Sequence, residues 1–324
     1  MTGPLQSADE LAGRPVLTIV VVTYNSAAYV RRCVQSLIDH GPRCSHKIIV
    51  VDNASSDDTV AILKTDFPGI GLLELPENVG FGRGNNIGIS KAPADFYYLH
   101  NADAYLQEGT LDDALNAMRN HPRLGIAGLP LVYPDHSPQT AAYAASTPRK
   151  WMLQATGLVP LARKVIQRRP NGLLARVVGR SSLGRSFATT YKEGGVVTAR
   201  DGGPVGVTPF DWVCGAAMII RDDALEALEG GFDPAIFIYG EDEDICLRAR
   251  AAGWDVAQVQ TRPVIHEFGW GKSVKTTQAV VDHKYHGLSV MIDRHFRSKP
   301  VKRATMRALL KLKHIGWSLS AKRG

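Results

Sequence analysis

Four acids in succession, Glu241-Asp242-Glu243-Asp244, follow Gly240 and open a helix-like segment that runs from about Asp242 to Ala252 and ends at Gly253. Acids in a first helical turn each contribute roughly 0.3–1 kcal/mol against the helix dipole. Four exceed that need, because their mutual repulsion offsets part of the gain and favours the protonated form of a partly buried one. A carboxylate held this way suits general-base work. Arg248, four residues after Asp244, falls on the same helical face and can pair with it.

Short polar side chains follow three successive apolar runs. Thr23-Tyr24-Asn25 comes after Val16–Val22, Asp52-Asn53 after Lys47–Val51, and Asn101-Ala102-Asp103 after the run ending Tyr97-Tyr98-Leu99. In an open parallel sheet, ligands bind beyond the carboxyl ends of the strands, and such residues can hydrogen-bond a nucleotide; singly, Asn25 or Asp52 reads equally well as a turn residue. Asp103 beside Asn101 can hold Mg²⁺ or Mn²⁺ while a substrate diphosphate supplies other oxygens. His266, after Pro263-Val264-Ile265, is a second candidate ligand, although a histidine in that place is more often structural. The segment Asn78–Gly88 carries a GxGxxG-like fragment, but it follows the third strand and lacks the later acid that a dinucleotide site needs. Its small residues would let backbone approach a diphosphate, with Arg83 supplying charge at a helix amino terminus.

The elements that must position these residues alternate strand and helix. A helix is expected around Ser26–His40, a second starting at Ser55-Ser56-Asp57-Asp58, a strand near Leu72–Leu75, and then a Gly/Asn-rich turn. A helix over Leu111–Arg119 and a strand over Gly125–Leu131 follow; the pattern loosens from Tyr133 to about Pro209. It returns with Phe210–Ile220 and a helix over Asp222–Glu229, and beyond His266 it is helical and basic. Continuous apolar strands separated by helices predict an α/β fold with a parallel sheet covered on both faces.

The 324 residues are 44% hydrophobic and 21% charged, which excludes disordered, collagenous and disulfide-scaffold classes. Four scattered cysteines without a CxxC pair fit a reducing compartment, and the cytoplasm is expected. Residues 1–15 read as a leader without the features of a secretory signal, and no run reaches the roughly 20 apolar residues of a membrane span. The net charge of +7 is unevenly spread: nine Lys/Arg and no acid lie between Arg149 and Arg185, ten and no acid between Arg294 and Arg323. The rest of the chain is net acidic. Trp151–Arg180 and Val301–Lys322 mix apolar and basic residues as interfacial helices do, so an anionic membrane surface is the expected partner. A nucleic-acid-binding module is the alternative from another class, but no zinc-finger, RNA-recognition or helix-turn-helix pattern supports it.

Taken together, Thr23-Tyr24-Asn25, Val51-Asp52-Asn53-Ala54-Ser55, Asn78-Val-Gly-Phe-Gly82, Asn101-Ala-Asp103, Trp212-Val-Cys-Gly215, Gly231-Phe-Asp-Pro234, Tyr239 to Arg248 and His266 resemble family 2 glycosyltransferases, in particular the rhamnosyltransferase-like branch of actinobacteria. The resemblance runs from about Val16 to Ser273. It implies a GT-A type nucleotide-sugar-binding sheet with helices on both faces, here followed by C-terminal basic helices. The implied layout is a nucleotide-sugar half at 16–132, an acceptor and catalytic half at 133–273 with a basic insertion near 148–208, and a membrane-associating segment at 274–324. By resemblance, Thr23, Tyr24, Asn25, Asp52, Asn53, Gly80, Arg83, Asn85, Asn101 and Ala102 would bind the donor, Asp52 accepting from a pyrimidine N3–H. Asp103, last acid of a DxD-like motif whose first acid is here Asn101, would ligate Mg²⁺ or Mn²⁺ with His266. Asp242 would be the base of an inverting transfer, and Trp212, Gly215 and Glu241 would line the acceptor cleft. The resemblance favours dTDP-rhamnose, with a UDP-sugar next, as donor, and a glycan or lipid-linked acceptor at the inner face of the cell membrane, in cell-envelope polysaccharide synthesis. A catalytically silent sugar-nucleotide or glycan binder of the same fold is the remaining alternative.

Overall fold

The computed structural model describes residues 14–155, 205–267 and 277–321. The chain divides into two compact units, Met1–Ala142 with Gly194–Val274 and Tyr143–Glu193 with Lys275–Gly324.

The first unit is built on an eight-stranded sheet. β1 (Leu17–Thr23) pairs in parallel with β2 (His46–Asp52) and β4 (Phe96–Asn101), and β2 with β3 (Gly71–Glu74). Beyond β4 the sheet continues through β12 (Ala217–Arg221), β6 (Leu124–Gly128), β13 (Asp255–Val259) and β10 (Val207–Pro209). The sheet is mixed rather than parallel throughout: β12 runs antiparallel to both β4 and β6, and β10 antiparallel to β13. Composition could not show this, because a strand covered on both faces reads as one apolar run in either direction. A second sheet joins β5 (Ala104–Tyr105), β14 (Val264–His266), β7 (Leu131–Val132) and β8 (Pro138–Gln139). The short strands β9 (Ala142–Tyr143) and β11 (Trp212–Val213) complete the set.

Alternation along β1 generates two cores. Leu17, Ile19 and Val21 face α1 (Val30–His40), α2 (Thr59–Asp66) and α4 (Thr110–Asn120), whereas Val20 faces α3 (Phe81–Lys91) and α7 (Glu241–Ala251). α1 buries Val30, Cys33, Val34 and Leu37, an i, i+3, i+4, i+7 stripe. Helices therefore cover both faces, as expected.

Local chemistry moves several boundaries. α2 begins at Thr59 rather than Ser55, because Ser55 is bonded to Asp52 and it is Asp57 whose carboxylate accepts from the Thr59 N–H at 3.1 Å. The Gly/Asn-rich turn is largely α3, whose glycines admit the sheet: a Cβ on Gly88 would meet Val20 Cγ1 at 2.5 Å. The expected strand over Gly125–Leu131 splits at Leu129-Pro130, and its last residue opens β7 of the second sheet. The helix expected to Glu229 is the short α6 (Asp222–Glu226), after which Glu229, Gly230 and Gly231 all take positive φ and turn the chain back.

The second unit is helical among its described residues: α5 (Pro148–Ala155), α8 (Gln278–His295) and α9 (Pro300–Ala321). Cations stacked on indoles join them, Lys313 over Trp151 at 4.3 Å and Lys284 over Trp317 at 4.6 Å. Met306 and Leu310 are fully buried, and Arg307 pairs with Asp293 at 2.9 Å. Trp151, expected at a membrane interface, is buried within this unit instead; residues 156–180 of that expected segment, most of the basic insertion and residues 1–13 lie outside the described residues. Among the described residues no helix is long and apolar enough to cross a membrane.

Candidate active site

Register brings the polar residues of three strands to one edge, since Thr23 aligns with Asp52 and Val22 with Asn101. β12 runs the other way, so its beginning, not its end, reaches that edge, and this delivers Cys214-Gly215-Ala216 there. The Asn101 N–H donates to Ala216 O at 3.0 Å.

At the β1–β2 end the buried Asp52 carboxylate organises a closed network. Oδ1 accepts from Thr23 Oγ1 at 3.0 Å and Ser55 Oγ at 2.5 Å, and Oδ2 accepts from the Ser55 N–H at 2.9 Å. Asn25, at φ 50°, receives the Ser56 N–H on Oδ1 at 2.8 Å and donates its own N–H to Ser55 Oγ. Tyr24 beside it is 52% exposed. Asn53 turns inward: its Nδ2 donates to Gly80 O at 3.2 Å and its Oδ1 accepts from the Val79 N–H. Gly80, at φ 88°, lies where a Cβ would come within 2.4 Å of Phe237 O. Asn85 is also buried and donates to Phe81 O at 3.0 Å, while Arg83 points to solvent with no ion pair among the described residues. The structure thus separates these residues: Asn53 and Asn85 bond backbone, Asp52 is enclosed by its donors, and Tyr24 and Arg83 remain exposed.

A few residues away, the turn from β4 to β5 carries Asn101, Ala102 and Asp103. His266 Nε2 lies 3.3 Å from Asp103 Oδ1 and 3.3 Å from Asn101 Nδ2. Its Nδ1–H donates to Gln139 Oε1 at 2.9 Å, which leaves the Nε2 lone pair facing Asp103. Adjacent ligands on an octahedral cation at about 2.1 Å sit about 3 Å apart, so this pair fits a divalent ion. Among the described residues no group of three His, Cys, Asp or Glu surrounds a common point. Two protein ligands would leave most positions for substrate oxygens and water, the habit of Mg²⁺ and Mn²⁺. Glu267 takes no part: its strand parity turns it to the other face, where it accepts from Tyr105 OH at 2.7 Å and meets Arg32 at 3.4 Å.

Two residues here were not singled out in the sequence. Gln139 fixes the His266 tautomer, and nothing in the sequence around it marks it. His100 is fully enclosed, donates Nε2–H to Ala104 O at 3.0 Å and accepts from Tyr98 OH at 2.8 Å, bracing the Asp103 turn from beneath. Burial lowers its pKa to about 4, so it stays neutral.

The carboxylate run opens α7. Tyr239 at φ 66° and Gly240 at φ 103° turn the chain sharply, and the four acids are drawn inward rather than solvated. Asp244 is completely buried and accepts from Arg248 Nε at 2.8 Å; Arg248 also donates to Leu228 O and Gly231 O. Asp242 is half-buried, and its carboxylate accepts from the N–H groups of Glu243 and Gly215. Glu241 is buried, and among the described residues its Oε2 has no hydrogen-bond partner. Burial raises the proton affinity of both, and that of Glu241 further because the Asp242 charge adds to it. Asp242, Glu241 and Asp103 all act on the Cys214 thiol, whose pKa burial and these charges push up, so the carboxylate run and the metal-type pair share one neighbourhood. Gly215 lies against Phe81, Trp212 is half-buried in β11, and Asn86, also missed in the sequence, clamps the Phe232 peptide through its N–H and carbonyl at 2.9 and 2.8 Å.

Comparison with known proteins adds four findings. The family model for glycosyl transferase family 2 matches residues 18–183. The chain is 25% identical over 291 residues to the N-acetylglucosaminyl-diphospho-decaprenol L-rhamnosyltransferase of Mycobacterium tuberculosis, covering 86% of this chain and 85% of that protein. Among solved structures, Staphylococcus aureus TarS superposes with a TM-score of 0.52 at 16% identity over 94% of this chain and 73% of the other. The mannosyltransferase PcManGT of Pyrobaculum calidifontis, in complex with GDP-Man and Mn²⁺, gives 0.52 at 18% identity over 96% and 73%. The fold is the GT-A type.

Proposed function

Because the chain belongs to glycosyl transferase family 2 and is a glycosyltransferase, we propose that it is an inverting, divalent-metal-dependent enzyme moving a sugar from a nucleoside-diphosphate donor to a hydroxyl of a glycan or lipid-linked acceptor. The observation that carries the reading is the meeting, at one sheet edge, of a half-buried carboxylate with raised proton affinity, Asp242, and the Asp103–His266 pair. Rhamnose, from dTDP-rhamnose, is the favoured sugar because the M. tuberculosis relative is named for L-rhamnosyl transfer to a diphospho-decaprenol acceptor.

Asp242 takes the proton of the acceptor hydroxyl as that oxygen bonds the anomeric carbon and the bond from this carbon to the diphosphate oxygen breaks on the opposite face. Its raised proton affinity suits it to a hydroxyl, and the two backbone N–H groups it accepts from keep it oriented. Asp103 and His266 would hold the metal ion, which when bound supplies charge neutralisation at the departing diphosphate. Asp52 would accept from a pyrimidine N3–H, and the exposed Tyr24 ring and Arg83 offer a flat surface and a cation to the donor. α9, basic and without acids, keeps the enzyme at an anionic membrane face in cell-envelope polysaccharide synthesis.

Asp242→Asn tests the assignment. It should keep donor affinity, read by calorimetric titration, and lose about 10²–10⁴ of the transfer rate. Transfer at the parent rate would overturn Asp242 as base.

A further inference from the structure

α8 and α9 meet at an elbow that forms an open cavity of about 980 Å³ lined by Arg294, Arg297, Arg303 and Arg307 together with one acid, Asp293. Asp293 is taken by Arg307 at 2.9 Å. Arg297 and Arg303 make no ion pair and no side-chain hydrogen bond among the described residues, although Arg303 is only half-exposed. The four guanidinium groups repel one another, and the one acid of the lining, Asp293, offsets this only where Arg307 takes it. Their forked donors match phosphate oxygens in pairs, which lysine cannot do. The elbow is also a fixed frame: successive N–H to carbonyl bonds run from Phe296 to Ile292, Lys299 to Phe296 and Arg303 to Lys299 at 2.9–3.0 Å. The backbone that carries the cations is therefore fixed before any ligand arrives.

The same helix presents bare apolar side chains. Val301 is 77% exposed, and Leu312, Ile315 and Leu319 between 49% and 66%. Their offsets of 11, 14 and 18 residues from Val301 place all four on one helical face, with Lys302 and Lys311 on its flanks. Pro300 and Ala304, immediately before and three after Val301, line the cavity itself. A site for a free anion needs no such stripe, whereas a site for a headgroup at an acyl surface does.

We propose that the arginine-lined cavity at the α8–α9 elbow binds a doubly charged phosphate or diphosphate group carried by a membrane lipid. The inference rests on membrane association of α9, part of the proposed function, and its test separates the two. The full chain is sedimented with phosphatidylcholine vesicles containing phosphatidic acid, a polyprenyl diphosphate, or phosphatidylglycerol at matched surface charge. The parent should prefer one of the first two over phosphatidylglycerol, and the one it prefers names the lipid. R297A/R303A should lose that preference, with binding to those vesicles weakened about 30-fold. K302A/K311A, outside the cavity lining, should bind more weakly to all charged vesicles and keep the preference. Equal binding to all three vesicle types, with both double variants alike, would overturn the cavity as a site and leave membrane association standing. A thermal shift with inorganic pyrophosphate that R297A/R303A abolishes, without vesicle binding, would make the ligand a free anion and overturn both the lipid source and the membrane reading. No response to vesicles or pyrophosphate would overturn both.

Discussion

Two buried carboxylates at the same sheet edge are finished in opposite ways. Asp52 is enclosed by three donors from Thr23 and Ser55, and Asn25 extends that network to Ser56. Glu241 is almost as enclosed, yet among the described residues one of its oxygens has no partner, and beside it Asp242 accepts from backbone N–H groups and keeps part of its surface open. Buried polar groups are normally satisfied, so the exception calls for a ligand or a chemical role. The difference teaches that Asp52 shapes the edge, while the Glu241–Asp242 pair is left unfinished by the protein. Asp244, two residues on and paired with Arg248, shows that the helix can partner an acid where no chemistry is wanted.

The largest effect on stability should follow from opening the finished network. Asp52→Ala strands the Ser55 N–H and the fully buried Thr23 hydroxyl, at about 1–3 kcal/mol for each unsatisfied group. Urea titration should show that loss, whereas Asp242→Ala should move the midpoint by less than half as much. Equal midpoints for the two variants would erase the contrast. Next in size is Gln139→Leu, which removes the acceptor that orients the His266 ring. Partners of this kind are worth about 10–100-fold in metal affinity. Electron paramagnetic resonance of free Mn²⁺ should register that weakening without transfer being measured, and Gln139→Glu, which restores an acceptor, should recover most of it. Unchanged Mn²⁺ affinity in Gln139→Leu would detach His266 from the metal.

Much of this edge was legible in the sequence because it is local. β-branched runs ending in Asp52 and in Asn101-Ala-Asp103 announce strands together with the polar turns at their ends, and the acidic run announces the start of α7. The direction of β12 was not legible, since Ala217–Ile220 is apolar whichever way it runs, and with it went the reason Gly215 lies beside Asp242. The glycines of α3 looked like room for a diphosphate; at Gly88 they are room for Val20, a contact made across the chain that spacing alone does not reveal. Gln139 and Asn86 escaped for the same reason, because each acts on a residue more than 100 positions away.

The smallest effect is a pH dependence. In the fold, burial and the Asp242 charge raise the Glu241 carboxyl to about 8, above its unfolded value, so the folded chain holds that proton more tightly than the unfolded chain does. The stability this contributes is complete below the unfolded value and is lost as pH rises through the neutral range toward the folded one. Urea midpoints should therefore fall between pH 5 and pH 8 in the parent. Glu241→Gln keeps the shape and carries no charge at either pH, so its midpoints should fall less. As the proposed base Asp242 has to ionise to act, and burial sets its raised proton affinity, so the acid limb of the transfer rate should be the same in Glu241→Gln as in the parent. A parent midpoint that rises from pH 5 to pH 8 to the same extent in both proteins would mean that Glu241 is ionised in the fold, finished by the protein after all, and the contrast with Asp52 would close.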